Sequence, residues 1–175
     1  MAPDHRLPKR APRGRRAAKT RPSHVDARGH ARMVSVAAKD ATVREALARG
    51  RVFMHANTLA VVRDNLAKKG DVLTVAKLAG IAAAKRTWEL IPLAHTLALD
   101  GVDLAFVLDE LGPSVAIEAR VECTGRTGVE MEALTAVAVA ALTIYDMLKS
   151  IDRGMVIGEI ALWEKSGGRS GDWHR

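Results

Sequence analysis

From His24 onward, apolar positions recur with two periods, 3.6 and 2, and the switching between them predicts the elements. Asp40-Ala41-Thr42 supplies cap residues ahead of Val43–Ala48, which reads as a short helix stopped by Gly50; Arg51–Met54 reads as a short strand. Asn57 or Thr58 caps a second helix running to about Leu66, which Lys68-Lys69-Gly70-Asp71 breaks. An Ala-rich third helix spans Val72–Lys85 and gives way near Trp88 to Leu90-Ile91-Pro92. Strict alternation then marks a hairpin. Val102, Leu104, Phe106 and Leu108 line one face of its first strand; Val115, Ile117, Ala119, Val121 and Cys123 line one face of its second, beyond the turn at Leu111–Ser114. A long helix follows over about Glu130–Ser150, with a stripe of Leu134, Val137, Ala141, Ile144 or Tyr145, and Leu148. A last strand, Val156–Glu164, runs into the Gly-rich segment Ser166–Gly171. This order predicts an α+β fold, a mostly antiparallel sheet packed under helices.

Composition narrows the function classes. One cysteine in 175 residues excludes a disulfide framework, and no C-x-x-C pair exists to hold a structural zinc. The weakly polar run Ala133–Tyr145 lies between Glu132 and Asp146; it is too short to cross a bilayer and reads as a core helix. Aromatic residues make up 3% of the chain, so platforms for stacking nucleic-acid bases are scarce.

The net charge of +7 becomes informative once it is located. Residues 1–22 hold eight basic side chains, one acid and four of the six prolines, whereas residues 23–175 hold 19 basic and 19 acidic residues. The first segment therefore reads as a disordered, solvated basic tail with weak attraction to anions, and 23–175 as a single domain without net charge. Its prolines and its lack of serines before Ser23 argue against an amphipathic transit peptide. No apolar secretory segment is present, and the expected compartment is the cytoplasm.

Several residues are candidates for chemistry. At about 100° per residue, Glu132, Thr143 and Asp146 share one side of the long helix, with Lys149 one turn beyond Asp146. Such a face is ordinarily a solvated stripe. Here the helix is nearly apolar all round between 133 and 145, so its carboxylates are expected at a buried edge, paired or titrating abnormally. Ahead of it, Thr124–Gly128 resembles a phosphate-cradling turn, but Glu130 and Glu132 in the first helical turn would repel an anion. They suit the helix dipole as capping acids, or would accept from the N–H groups of a guanine-like or pterin ring. Basic clusters stand at Lys68-Lys69, Lys85-Arg86 and Lys165–Gly171; the last reads either as an anion-binding nest or as a flexible tail. His95 reads as a hydrogen-bonded core histidine, and Cys123 as inert packing. No histidine spacing signals a metal, and no cofactor is expected.

Several segments together resemble the cyclic pyranopterin monophosphate synthase family, the molybdenum cofactor biosynthesis protein C family. They are Lys69-Gly70-Asp71-Val72, Ala79-Gly80-Ile81, Ala83-Ala84-Lys85-Arg86-Thr87, Leu90–His95, Thr124–Thr135, Leu142–Met147 and Lys165–Gly171. The resemblance covers about His24 to Trp173. It implies a ferredoxin-like fold and a homohexamer built as a trimer of dimers. The implied activity is that of a phosphorus–oxygen lyase, which rearranges a cyclised GTP derivative to a pyranopterin with a cyclic phosphate and releases diphosphate. By motif, Asp146 matches the active-site aspartate, and Lys69, Lys149 and Lys165 match lysines lining the pocket. Leu93, Ala94 and His95 match one substrate-binding segment, and Met131 with Glu132 another. Departures are Ala94 and Thr96, where the family usually has Cys and Pro, and Ser35, where it commonly has Asp.

Glu132 and Asp146 are 14 residues apart, roughly 21 Å along one helix. The expected site is therefore shared across a two-fold interface, the glutamate segment of one chain meeting Asp146 of its partner. The competing expectations are a catalytically silent paralogue and a nonenzymatic RNA-binding or assembly protein that uses the basic tail.

Overall fold

The computed structural model describes residues 30–175; the basic segment 1–22, the expectation that it is disordered and its boundary at residue 23 lie outside the described residues. In chain order the elements are β1 (Thr42–Phe53), α1 (Ala56–Arg63), α2 (Val72–Lys85), α3 (Thr87–Leu90), β2 (Gly101–Asp109), β3 (Ser114–Gly125), α4 (Glu130–Leu148), β4 (Val156–Ser166) and β5 (Trp173–His174). The sheet order is β2-β3-β1-β4-β5, every neighbouring pair antiparallel. The sequence β1-α2-β2-β3-α4-β4, with β3 inserted between β1 and β2, is the split βαβ arrangement of ferredoxin-like α+β folds.

The expected helix at Val43–Ala48 is instead part of β1, which also absorbs the short strand read at Arg51–Met54. The reason is its position. β1 is an interior strand, paired with β3 along its whole length and with β4 on its other edge. Ala46, Leu47 and Ala48 are consecutively buried, so the run does not alternate, and its Ala, Leu, Glu and Arg residues favour helix locally. Cross-strand pairing overrides that preference. Gly50 stops nothing; a Cβ there would lie 2.6 Å from Val137 Cγ1, so its absence lets α4 sit close on the sheet.

Other boundaries moved less. The cap of α1 is His55 rather than Asn57 or Thr58, and the helix ends at Arg63. Asn65, at φ 52°, closes it in a Schellman turn, with Leu66 N–H donating to Val61 O and Asn65 N–H to Val62 O. Helix α2 and both hairpin strands match the periodicity. Helix α4 stops at Leu148 and β4 extends to Ser166, which takes Lys165 into the sheet. The one-turn α3 and the two-residue β5 carry too little pattern to be anticipated.

One face of the sheet is the core. Ala46, Ala48, Val52, Leu104, Val115, Ile117, Ala119, Val121 and Cys123 lie buried with Ala133, Val137, Ala140, Ile144 and Leu148 of α4. Burying side chains such as Ile117, Ile144 and Leu148 contributes about 2 kcal/mol each. Helix α2 packs beside α4 at Gly80, where a Cβ would meet Leu104 Cδ2 and stand 3.0 Å from Ala136 O. The opposite face is polar, with Arg49–Glu118 at 2.7 Å, Arg51–Asp109 at 2.8 Å and an Arg120–Glu45 pair. By length and hydropathy alone the 19-residue α4 would reach across a membrane, further than the 133–145 run suggested. Its packing against the sheet and α2 makes it the core helix the apolar pattern predicts.

Candidate active site

Helix α4 carries candidate groups at both ends. At its C-terminal end, Asp146 and Lys149 are i and i+3, with Lys149 Nζ 2.6 Å from Asp146 Oδ1. Lys69 arrives from the turn before α2, donating to Asp146 Oδ2 at 2.8 Å and to the Asp146 main-chain oxygen at 3.0 Å. That turn is built locally. Gly70 takes φ 96°, where a side chain would be strained, and Asp71 caps α2 by accepting from Thr74 N–H at 3.0 Å and the Thr74 hydroxyl at 2.7 Å. All three clustered side chains are about half exposed. Hydrogen bonds from Lys149, then Lys69, bring the Asp146 carboxyl down to about 2, and Asp146 in turn raises Lys149.

At the N-terminal end, Glu130, Met131 and Glu132 form the first turn behind Val129, which makes no side-chain cap. Met131 is exposed, whereas Glu132 is only 4% exposed. Burial pushes the Glu132 carboxyl up to about 7, and the neighbouring Glu130 adds to the shift. Strand β4 delivers Lys165, whose Nζ lies 3.7 Å from Glu130 Oε1 and donates to Ser170 Oγ at 2.6 Å.

Beyond Lys165 the chain folds into a cleft of about 500 Å³ lined by Lys39, Asp40, Thr42, Arg44, Gly168, Arg169 and Ser170. Arg44 is buried and donates from Nε to Gly125 O at 3.3 Å. Gly167 and Gly168 adopt φ 86° and 74°, and a Cβ at Gly168 would collide with the Arg44 guanidinium. Glycine there is required by both backbone and space. Lys39 and Arg44 escaped the sequence reading because Arg44 sat in a segment assigned to helix. The signal that would have found it is the alternation Arg44, Ala46, Ala48, Gly50, Val52 on the inner face of β1.

The structure thus brings Asp146, Lys69 and Lys149 into one cluster, and Glu130, Glu132 and Lys165 to the opposite end of the same helix. Leu93, Ala94 and His95 lie half-buried on the irregular segment between α3 and β2. Among the described residues, no three His, Cys, Asp or Glu side chains gather as metal ligands would.

Residues 33–168 match the model of the MoaC family. The chain belongs to the MoaC family. It is similar to the cyclic pyranopterin monophosphate synthase of Heliobacterium modesticaldum, 63% identical over 153 residues that cover 87% of this chain and 96% of that relative. The synthases of Thermomicrobium roseum and Chloroflexus aurantiacus are 61% and 59% identical over 153 residues, covering 87% of this chain and 92% and 94% of theirs. On this MoaC-family scaffold the two clusters differ chemically. Asp146 is a fixed anion near neutral pH, suited to holding its two ammonium donors in place at 2.6 and 2.8 Å. Glu132 sits near its midpoint at neutral pH and is suited to exchanging a proton.

Proposed function

We propose that this chain is a cyclic pyranopterin monophosphate synthase of molybdenum cofactor biosynthesis. It converts (8S)-3′,8-cyclo-7,8-dihydroguanosine 5′-triphosphate to cyclic pyranopterin monophosphate and diphosphate. The observation that carries this reading is the Asp146 carboxylate clamped between Lys69 and Lys149, in a chain 63% and 61% identical to synthases of that name.

The rearrangement moves protons between carbon, nitrogen and oxygen, which calls for a base and acids held in place. Asp146 holds the ammonium groups of Lys69 and Lys149 against the ligand, and these groups exchange protons with it. Glu130 and Glu132, with Met131, Leu93, Ala94 and His95, bind the ring system, where carboxyl oxygens accept from its N–H groups. Closing the cyclic phosphate requires a hydroxyl oxygen of the substrate to attack the α-phosphorus while diphosphate leaves. Negative charge grows on the departing oxygens, and Lys165 with the basic cleft of Arg44, Lys39 and Arg169 supplies the countercharge.

The site needs two chains. Fourteen residues of helix separate Asp146 from Glu132, about 21 Å, so one nucleotide-sized ligand does not touch both within one copy. The assembly we assign is a homohexamer, a trimer of dimers, with sites at the dimer interface. In support, Val75, Leu78, Leu142 and Met131 leave apolar surface exposed on the helical layer, a surface that a second copy would cover. The burial of α4 in its own core favours a soluble enzyme, and the compartment we assign to it is the cytoplasm.

The test is diphosphate release from the cyclised GTP intermediate by wild type and Asp146→Asn. Turnover by wild type alone supports the reading. Equal inactivity of both identifies a silent paralogue.

A further inference from the structure

The turn after α4 holds a carboxylate that no proposed step uses. Asp152 is 3% exposed and accepts three hydrogen bonds, two from a distant part of the chain and one from its own turn. Oδ2 accepts from the His55 N–H and the Thr58 hydroxyl, both at 3.0 Å, and Oδ1 accepts from Gly154 N–H at 2.9 Å. Burial alone would push this carboxyl up. The donors from His55, Thr58 and Gly154 outweigh it and hold the group below its ordinary value, so Asp152 is ionised.

Its partners make this placement informative. Helix α1 has no cap of its own: the His55 side chain makes no capping bond, and the first turn contains no acid. Asp152 therefore ties down the start of α1 from a distant part of the chain, through the main-chain N–H of its cap residue His55 and the hydroxyl of Thr58 in its first turn. The same residue ends α4, its N–H donating to Leu148 O at 3.0 Å, three positions after Lys149. Helix α1 in turn closes at the Schellman turn of Asn65 and leads through the Ala67–Gly70 turn to Lys69. One buried carboxylate thus joins the end of the helix that carries Asp146 and Lys149 to the start of the helix that leads to Lys69.

We propose that Asp152 is a positioning residue for the Asp146–Lys69–Lys149 cluster, holding α1 against the end of α4 so that Lys69 reaches Asp146. The catalytic consequence rests on the function proposed above; the geometric one does not. Asparagine at 152 would keep the shape but turn an acceptor into a donor facing N–H groups, which a buried site tolerates poorly. Misplacing a catalytic group by about 1 Å lowers turnover by about 10–100-fold.

The experiment compares Asp152→Asn and Thr58→Val with wild type as full-length chains, by two measurements. The first is the rate at which a water-soluble acylating reagent modifies Lys69 at neutral pH, read peptide by peptide with Lys77 as the internal reference. Lys77 is a suitable reference because it pairs with Asp103, away from this cluster. The second is steady-state turnover. The expected result is several-fold faster acylation of Lys69 in Asp152→Asn, a smaller gain in Thr58→Val, and a fall in kcat in the same order with KM less affected. Wild-type reactivity of Lys69 in a folded Asp152→Asn chain overturns the proposal, even if activity falls. If Asp152→Asn does not fold, Thr58→Val decides by the same acylation readout. Absence of turnover in wild type would defeat the functional reading, while the acylation pattern still judges the positioning.

Discussion

At the C-terminal end of α4, Asp146 is half exposed and its carboxyl is held at about 2; at the N-terminal end, Glu132 is buried and its carboxyl is pushed up to about 7. Both shifts run against the helix dipole, which favours anions at the N-terminus and cations at the C-terminus. The magnitudes decide why. The dipole is worth about 0.3–1 kcal/mol, too little to take the Asp146 carboxyl from 3.8 to about 2 or the Glu132 carboxyl from 4.5 to about 7. Two lysines within hydrogen-bonding distance outweigh the dipole at one end, and loss of water outweighs it at the other. One helix therefore presents a carboxylate that stays ionised across the neutral range and a carboxyl that is half protonated there, two environments that push like groups apart.

The largest expected effect tests whether the two ends cooperate across chains. Asp146→Asn and Glu132→Gln should each lower turnover by about 100-fold or more. In a mixed two-fold dimer of the two variants, one site carries both lesions and the other carries neither. Random mixing should therefore restore about a quarter of wild-type turnover. No recovery in verified mixed assemblies would place both ends in one chain's own site and undo the shared arrangement.

The next effect is on stability and belongs to the N-terminal end alone. The folded pKa of Glu132, about 7, lies above its ordinary 4.5, so the folded state binds this proton more tightly. The resulting stabilisation is fully present below pH 4.5 and is lost as pH rises through about 7. Ionising Glu132 in its buried position then costs up to about 3 kcal/mol at pH 8. Glu132→Gln should accordingly be more stable than wild type at pH 8 and should lose that advantage towards pH 4, in urea melts at one fixed protein concentration. A difference between the two that stays constant with pH would remove burial as the cause.

Much of this contrast was legible in the chain. Helix α4, α2 and the β2–β3 hairpin are strongly periodic, and an almost wholly apolar helix implies the buried, abnormal carboxyl of Glu132, whereas Asp146, expected at a buried edge, is half exposed and paired with two lysines. Lys149 follows from its spacing to Asp146, but Lys69, 77 residues away, reads only as part of a basic cluster until the family resemblance puts it in the same pocket. What stayed hidden depends on long-range pairing. β1 reads locally as helix because its Ala, Leu, Glu and Arg residues favour helix and buried Leu47 breaks the alternation, and with it Arg44 and the basic cleft were lost. Asp152 looks like any acid in a turn until His55 and Thr58 arrive from nearly a hundred residues away.

The smallest expected change in stability is at the C-terminal end. Lys149 supplies the largest part of the Asp146 shift, so Lys149→Gln should move the Asp146 carboxyl upward from about 2 while Lys69 still holds it below the ordinary 3.8. The depressed pKa stabilises the fold above pH 3.8, and that contribution is lost as pH falls through about 2. Because both partners are about half exposed and screened by water, the Tm of Lys149→Gln at pH 7 should match wild type while turnover drops. A Tm change at pH 7 as large as that of Glu132→Gln at pH 8 would mean that the two ends do not differ in how their charge is coupled to folding. An unchanged Tm with impaired turnover would instead show that the lysines around Asp146 act on the chemistry of the site rather than on the stability of the fold.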